Sequence, residues 1–263
     1  MTLVRIRQGL LILYMGKRLN KFKERFQKKR EEYVLEIKRQ TVHALGILFV
    51  IPIVMFSPIN AARILAVAAA LTAFGHWYIS HREIRLKYFK DFIKNLSLKK
   101  EERAQILSSA KEFKKFEESI ILGAFKNFIR QKESPLFSSF LFLLSSLFAL
   151  LLFGPEFAAI GLVCLGIGDA FSTLIGKRFG KIKLLHNKDK SMEGSLAFFF
   201  SAFAAVYLFL MLVPSFVLFN NLMITAALAA ILGTAIETLP AMNDNATLPI
   251  GISVFLWLIL LLL

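Results

Sequence analysis

The sequence predicts an all-α fold, a polytopic bundle of about seven transmembrane helices, on three observations. Of the 263 residues, 56% are hydrophobic, above the roughly 45–50% of soluble domains. The apolar residues form blocks almost free of charge, and several blocks are close to the roughly 20 residues that cross a bilayer. The Lys and Arg residues are concentrated in a few of the segments between these blocks.

Seven apolar runs are candidates for the membrane-spanning helices, and they are residues 41–57, 62–80, 136–153, 157–176, 194–213, 216–236 and 247–263. The first run is short and contains Pro52. Its hydrophobic length is marginal, so a tilted, kinked or partly interfacial helix is also open for this run.

The distribution of basic residues predicts the orientation of the bundle. Twelve Lys and Arg residues lie in residues 1–40, fourteen in 82–134 and six in 177–190, while the alternate connections contain almost none. Because membrane proteins enrich basic residues in cytoplasmic loops, we expect a cytoplasmic N-terminus and a C-terminus outside. The same enrichment accounts for the net charge of +15, so no nucleic-acid partner is expected.

Two domains are predicted within this multi-pass membrane protein. Residues 1–40 read as a basic, amphipathic cytoplasmic segment on the membrane surface, and residues 41–263 as the membrane domain. The membrane domain has a cytoplasmic insertion at 82–134, whose apolar residues are spaced as on an amphipathic helix. We expect one or two helices there, lying against the membrane.

Asp169 lies inside the fourth apolar run, on the order of 12 Å from its end at a rise of 1.5 Å per residue. A carboxylate at that depth is costly in free energy, so it indicates a functional site, with a structural salt bridge or buried hydrogen bond as the alternative. Gly166, Thr173 and Gly176 follow the same helical spacing. They would let a ligand or another helix approach closely, although helix packing alone also uses such residues.

A glycine-containing basic loop follows directly. It offers cations, close backbone approach and the N-terminus of the next helix, which together suit an anion such as phosphate. Its candidate phosphate-binding residues are Lys177, Arg178, Gly180, Lys181, Lys190, Ser191, Glu193 and Gly194. The cytoplasmic enrichment of basic residues by itself predicts part of this lysine content.

The sixth connection is acidic on a face that is otherwise basic, since it contains Glu237 and Asp244 next to Asn245. Asp244 with Asp169 and Glu193 could hold Mg²⁺, a hard cation that takes carboxylate and phosphate oxygens together. Turn formation by the Asn-Asp-Asn sequence explains this loop equally well when it is considered alone.

Three separated motifs together resemble the polyprenol kinase family, the membrane enzymes that include dolichol kinase, phytol kinase and the CTP-dependent diacylglycerol kinase. The first motif is Arg39 to His43 with Gly46, where the chain enters the first apolar run. Arg39 and His43 are four residues apart, so they lie on one face of a helix. The second runs from Gly168-Asp-Ala170 through Gly176 and Gly180 to Lys190-Ser-Met-Glu-Gly-Ser195, and the third is Asp244-Asn-Ala-Thr-Leu-Pro249 after Glu237. The long, basic 86–134 connection departs from the family's pattern.

The resemblance implies transfer of the γ-phosphate of CTP to the hydroxyl of a polyprenol, an isoprenoid alcohol or a diacylglycerol-like lipid, with Mg²⁺ as cofactor. It implies that Asp169 and Asp244 bind Mg²⁺ or the substrate hydroxyl, with Lys190 as a further catalytic residue and Glu193 near the metal. The implied nucleotide site comprises Lys177, Arg178, Gly180, Lys181, Ser191, Glu193, Gly194, Asn245, Arg39 and His43. The implied location is the cell membrane of a prokaryote, or the endoplasmic reticulum or plastid membrane of a eukaryote.

Two alternatives stay open. A cytidylyltransferase that forms CDP-lipids would also have the helical aspartate, a turn like Gly176–Gly180 and a Lys-Ser-x-Glu-Gly segment. It would typically end in a charged, Gly-rich region, whereas here Asp244-Asn245 leads straight into an apolar helix. A non-enzymatic transporter or scaffold would also carry intramembrane charges, but its sites commonly lie at mid-bilayer between repeats, and no repeat is visible. The lipid, the choice of CTP over ATP and the oligomeric state are left open by the residues.

Overall fold

The computed structural model describes residues 27, 30–31, 33–38, 40–41, 44–125, 135–240 and 243–263. Within these ranges the protein is helical, and an isolated bridge joins Lys183 to Ser191. The helices are α1 (Leu45–Met55), α2 (Pro58–Ser80), α3 (Arg82–Asn95), α4 (Lys100–Phe125), α5 (Pro135–Phe153), α6 (Pro155–Phe179), α7 (Met192–Leu212), α8 (Leu222–Glu237) and α9 (Asp244–Leu262). The all-α prediction is confirmed for this part of the chain.

Five of these helices are long and apolar enough to cross a membrane, namely α2, α5, α6, α7 and α9. Helix α8 is apolar but has only 16 residues, about 24 Å of helix against a hydrocarbon layer of roughly 30 Å. Helix α1 is shorter still and begins with a 3₁₀ segment. The chain is therefore an integral membrane protein, but the predicted count of seven spans is not confirmed, and the predicted orientation stays a prediction.

Helix α6 lies at the centre of the bundle. It packs against α1, α5, α7, α8 and α9, while α2 packs against α5. In α6, 72% of an apolar stretch of 18 residues is buried inside the protein, against 22–33% of the corresponding stretches in the other spanning helices. A polar side chain on α6 is thus surrounded by protein rather than lipid, which is the environment that intramembrane charges require.

One turn of α6, Cys164–Asp169, is π-helical. The wider turn changes which residues share a face of the helix. A Cβ atom added to Gly166 would lie 3.4 Å from Cβ of Ile47 in α1, whereas one added to Gly176 would lie 3.3 Å from Oγ of Ser191 beside α7. These two glycines therefore allow close approach of different neighbours, α1 at Gly166 and the start of α7 at Gly176, and the predicted stripe of small and polar residues stays a prediction.

Glycines let the helices around α6 come close together. The ring of Phe198 in α7 is fully buried, and Cβ atoms on Gly168 of α6 and Gly233 of α8 would lie only 2.8 Å and 2.7 Å from it. A Cβ on Gly161 would lie 2.9 Å from the backbone oxygen of Pro249 in α9. Such close approach is how apolar helices pack in a membrane, where no hydrophobic effect drives them together.

Two connections bring four helix ends to one end of the bundle. Residues 180–191 join the end of α6 to the start of α7, and residues 238–243 join the end of α8 to the start of α9. Ser191 caps α7 by accepting a hydrogen bond from the Gly194 amide at 3.2 Å, and Asn243 caps α9 by accepting one from the Asn245 amide at 3.1 Å. These caps satisfy amides that the helices leave free.

The insertion predicted at 82–134 contains the two helices α3 and α4, and its residues 126–134 lie outside the described residues. Two ion pairs join the helices, from Arg85 to Glu117 at 3.3 Å and from Lys114 to Glu83 at 3.2 Å. The domain boundary predicted at residue 40 stays a prediction.

Candidate functional site

A buried carboxylate, Glu237, lies where the four helix ends meet. It is the last residue of α8 and has no exposed surface. Its Oε1 accepts hydrogen bonds from Ser172 Oγ of α6 at 2.8 Å and from Lys190 Nζ at 2.6 Å, and its Oε2 accepts one from Ser195 Oγ of α7 at 3.3 Å. A buried carboxylate needs such charge pairing and hydrogen bonding to be tolerated. Glu237 therefore joins α6, α7 and α8.

Lys190 connects Glu237 to the start of α9. Its Nζ lies 2.9 Å from Asp244 Oδ2, in addition to its bond with Glu237. Burial by itself lowers the pKa of Lys190, but the charges of Asp244 and Glu237 outweigh that effect and raise the pKa above its ordinary value. The two carboxylates therefore favour the charged ammonium form of the side chain. Lys190 and Asp244 remain about a quarter exposed, at 25% and 22%, so the cluster opens on their side.

Asp169 is the third carboxylate at this junction. It ends the π-helical turn of α6, is 9% exposed, and its charge interacts with that of Asp244. A like charge nearby disfavours the ionised form of a carboxyl group unless a cation compensates it. The structure thus brings together three of the predicted residues, Asp169, Asp244 and Lys190, and adds Glu237 to them.

Glu193 lies apart from this cluster and binds the backbone of the preceding loop. Its Oε1 accepts hydrogen bonds from the amides of Lys181 at 2.9 Å and Ile182 at 3.2 Å. Among the described residues, no three His, Cys, Asp or Glu side chains are arranged to hold a metal ion. The predicted ligand set of Asp169, Asp244 and Glu193 is therefore not assembled in this arrangement, whereas Asp169 and Asp244 suit a hard cation that takes its other ligands from phosphate and water.

The loop between α6 and α7 is held by local contacts. A Cβ atom on Gly180 would lie only 2.5 Å from Oγ of Ser191, so close packing explains this glycine better than backbone conformation does. The Met192 amide donates to the Ile182 carbonyl at 2.9 Å, and the Ser191 side chain is used as the cap of α7. Gly194 lets α6 and α7 touch, since its Cβ would lie 3.1 Å from the Ser172 carbonyl oxygen.

The other predicted phosphate-binding cations are Lys177, Arg178 and Lys181. Lys177 Nζ lies 2.5 Å from Oε2 of Glu36, and the Arg178 guanidinium lies 5.5 Å from the ring centre of Tyr33. Lys181 is exposed. Lys177 and Arg178 thus contact the helical residues before α1 in this structure.

Asn245 contributes backbone contacts to the start of α9. Its carbonyl oxygen accepts a hydrogen bond from Ser145 Oγ of α5 at 2.8 Å, which fixes α9 beside α5. The predicted residues Arg39 and His43 lie outside the described residues.

Comparison with known proteins relates part of this chain to lipid kinases. It is 33% identical over 102 residues to the dolichol kinase of Schizosaccharomyces pombe and 35% identical over 116 residues to that of Saccharomyces cerevisiae. It is also 31% identical over 120 residues to a probable phytol kinase of Glycine max. Part of the chain is similar to dolichol and phytol kinases.

The matched segments are partial. They cover 38%, 44% and 42% of this chain, and 18%, 22% and 41% of the respective relatives. The dolichol and phytol kinase relationship therefore concerns less than half of either protein. No family profile and no solved structure matches the chain.

Three residues that meet at this junction, Ser172, Ser195 and Glu237, have no role predicted from the sequence. Ser172 and Ser195 gave no signal of their own, because hydroxyl residues are common in membrane helices and bond their own backbone. Glu237 is an acid on a basic face, and its position at the end of an apolar run is the signal in the sequence that could have identified it. Its contacts with Lys190 depend on how α7 and α8 pack, which the sequence does not state.

Proposed function

We propose that the chain is a lipid-alcohol kinase, which transfers the γ-phosphate of a nucleoside triphosphate to the hydroxyl of a polyprenol, an isoprenoid alcohol or a diacylglycerol-like lipid. The observation that carries the proposal is the cluster of Asp169, Lys190, Glu237 and Asp244 at the meeting point of four helix ends. The relationship to dolichol and phytol kinases supports the same reaction class.

The cluster has the parts that phosphoryl transfer requires. This reaction depends on charge neutralisation and on alignment of the attacking oxygen with the phosphorus atom. Lys190 supplies a positive charge at a partly open position, and Asp169 and Asp244 are the side chains that would hold Mg²⁺. The bound ion would neutralise negative charge on the phosphate oxygens.

In the proposed reaction the lipid hydroxyl oxygen forms a bond to the γ-phosphorus, and the bond from that phosphorus to the bridging oxygen of the β-phosphate breaks. The nucleoside diphosphate leaves with that oxygen. Asp169, on the central helix of the membrane domain, is assigned either to Mg²⁺ or to the proton of the lipid hydroxyl, the two roles that the motifs imply for it. Lys190 would turn from Asp244 to the transferred phosphate while Glu237 keeps its position.

We propose CTP as the phosphoryl donor, because the sequence motifs resemble those of the polyprenol kinase family. The predicted cations Lys177, Arg178 and Lys181 would contribute to the phosphate site, and Glu193 would shape the loop that carries them. Lys177 would then have to exchange Glu36 for phosphate.

Labelled nucleotides test the proposal. Purified protein in mixed micelles is incubated with a panel of lipid alcohols and with CTP or ATP labelled at the α or the γ position, and the lipid is extracted. We expect label from the γ position only, with CTP preferred, and none with Asp169→Asn. Lipid labelled from the α position would indicate a cytidylyltransferase instead, and lipid movement without labelling would indicate a transporter.

A further inference from the structure

Helix α3 presents an apolar stripe that no described residue covers. Ile84, Tyr88 and Phe92 are 52%, 72% and 61% exposed. Their spacing of four residues places them on one face of the helix. The opposite face is directed inward, since Ile93 is only 4% exposed. Large, contiguous apolar side chains at a surface indicate an interaction site.

This stripe begins where α2 leaves the membrane. Trp77 and His81 stack at the end of α2 with ring centres 5.6 Å apart, and aromatic residues of this kind mark the boundary between lipid and water. Arg85 then fixes α3 to that end, because its Nη2 donates to the Tyr78 carbonyl at 2.8 Å and its guanidinium lies over the Tyr78 ring. Ile84 follows His81 within one helical turn.

Two ion pairs hold α4, the second helix of the insertion, against α3. Arg85 also lies 3.3 Å from Glu117 of α4, and Lys114 of α4 lies 3.2 Å from Glu83 of α3. The position of α3 is therefore set both by the membrane-spanning helix α2 and by α4, the second helix of the insertion.

The charge of α3 complements an anionic surface. The helix contains five Lys and Arg residues and two acids, and Lys87, Lys90 and Lys94 are exposed. Asp91 lies 3.9 Å from Lys94 and offsets part of its charge. A helix with aromatic residues on one face and lysines beside them suits the headgroup layer of a bilayer. Each lysine near an anionic surface strengthens the attraction by about fivefold.

We propose that the exposed face of α3, formed by Ile84, Tyr88 and Phe92, docks onto the headgroup layer of the bilayer that contains α2, and that the flanking lysines make this docking selective for anionic lipids. The aromatic side chains enter the boundary between headgroups and acyl chains. The lysine ammonium groups contact lipid phosphates.

Fluorescence quenching tests the proposal. Trp77→Phe and Trp257→Phe remove both tryptophans of the full chain, and Phe92→Trp then adds a single reporter at an exposed position. The protein is reconstituted into phosphatidylcholine vesicles with or without phosphatidylglycerol, with acyl chains that are brominated or not. We expect a blue-shifted emission that brominated lipid quenches in the vesicles containing phosphatidylglycerol. Tyr88→Trp in the same background should give the same result, because it shares the face.

Charge variants provide the matched control. Lys87→Gln, Lys90→Gln and Lys94→Gln combined should abolish the quenching that depends on phosphatidylglycerol, since about fivefold is lost for each lysine. Reporters that stay unquenched in both lipid mixtures would overturn the proposal and would indicate that α3 faces water, a protein or a second copy of the chain. Equal quenching with and without phosphatidylglycerol would overturn the selectivity for anionic lipids.

Discussion

Lys190 Nζ lies 2.6 Å from Oε1 of Glu237, and this contact joins the loop before α7 to the last residue of α8 across 47 positions of the chain. Glu237 is fully buried, and Lys190 also reaches Asp244 at the start of α9. One ammonium group therefore holds two helix ends together at the candidate site. The stability of the bundle and the activity of the site should both depend on it.

Glu237→Gln should destabilise the protein. The variant removes one of the two carboxylates that compensate the Lys190 ammonium. Because Asp244 remains paired with it, the cost should be below the roughly 3–5 kcal/mol of a buried ion pair that is broken outright. Thermal unfolding in detergent, followed by circular dichroism, should show a clearly lower midpoint. Lys190→Met combined with Glu237→Leu should recover much of the loss, because apolar residues replace both charges. An unchanged midpoint in Glu237→Gln would contradict the role given to this pair.

Lys190→Met should reduce lipid phosphorylation by about a hundredfold or more, as removal of a group that stabilises transition-state charge does in other enzymes. The measurement is the initial rate with saturating nucleotide, which separates the rate from nucleotide binding. Lys183→Met in the same loop is the matched control, because the Lys183 ammonium reaches only a backbone oxygen at 3.5 Å among the described contacts. If both variants lost the same fraction of the phosphorylation rate, the effect would come from the total positive charge of the loop and not from the position of Lys190.

Asp244→Asn should raise the Mg²⁺ concentration needed for half-maximal phosphorylation. Mutation even of a residue that only supports a metal ligand typically weakens metal binding or activity by about tenfold to a hundredfold, and we expect at least that change here. A Mg²⁺ titration of the initial rate measures the change. Asp189→Asn, at an exposed position of the loop, should leave the titration unchanged. A wild-type titration in Asp244→Asn would remove this residue from the metal site.

Glu193→Gln distinguishes between two roles of this residue. Its carboxylate accepts hydrogen bonds from the Lys181 and Ile182 amides, so we expect a loosened loop and a higher KM for the nucleotide. The Mg²⁺ dependence should stay as in the wild type. A shifted Mg²⁺ titration would support the metal-ligand role predicted from the sequence motifs and would contradict the loop-shaping role.

Gly233→Ala should destabilise the bundle through overpacking. The new Cβ would lie 2.7 Å from the buried Phe198 ring, and forcing a methyl group into a packed core costs about 1–3 kcal/mol. Thermal unfolding in detergent should show a lower midpoint. Phe198→Leu in the same chain should restore part of it, because leucine vacates the contacted space. Gly75→Ala is the control, since its Cβ would meet only the end of Leu136 at 3.2 Å.

The positions of the spanning helices could be read from the sequence because bilayer thickness fixes the length of an apolar run. The runs at 62–80, 136–153, 157–176, 194–213 and 247–263 match α2, α5, α6, α7 and α9. The run at 216–236 is also predicted as a span, but its first residues follow a 3₁₀ turn and have left-handed backbone at Phe219 and Asn220, so α8 begins only at Leu222. Hydropathy alone does not locate such a helix start.

Sequence by itself also determined Asp169, Lys190 and Asp244 as candidates, because charge in or beside an apolar helix is costly and therefore informative. Only the tertiary structure decided which charges meet. It pairs Lys190 with Glu237 and Asp244, turns Glu193 to the loop backbone and directs Lys177 to Glu36. The physical reason is that these contacts follow from side-chain direction and helix packing across long separations, and residue type and spacing specify neither.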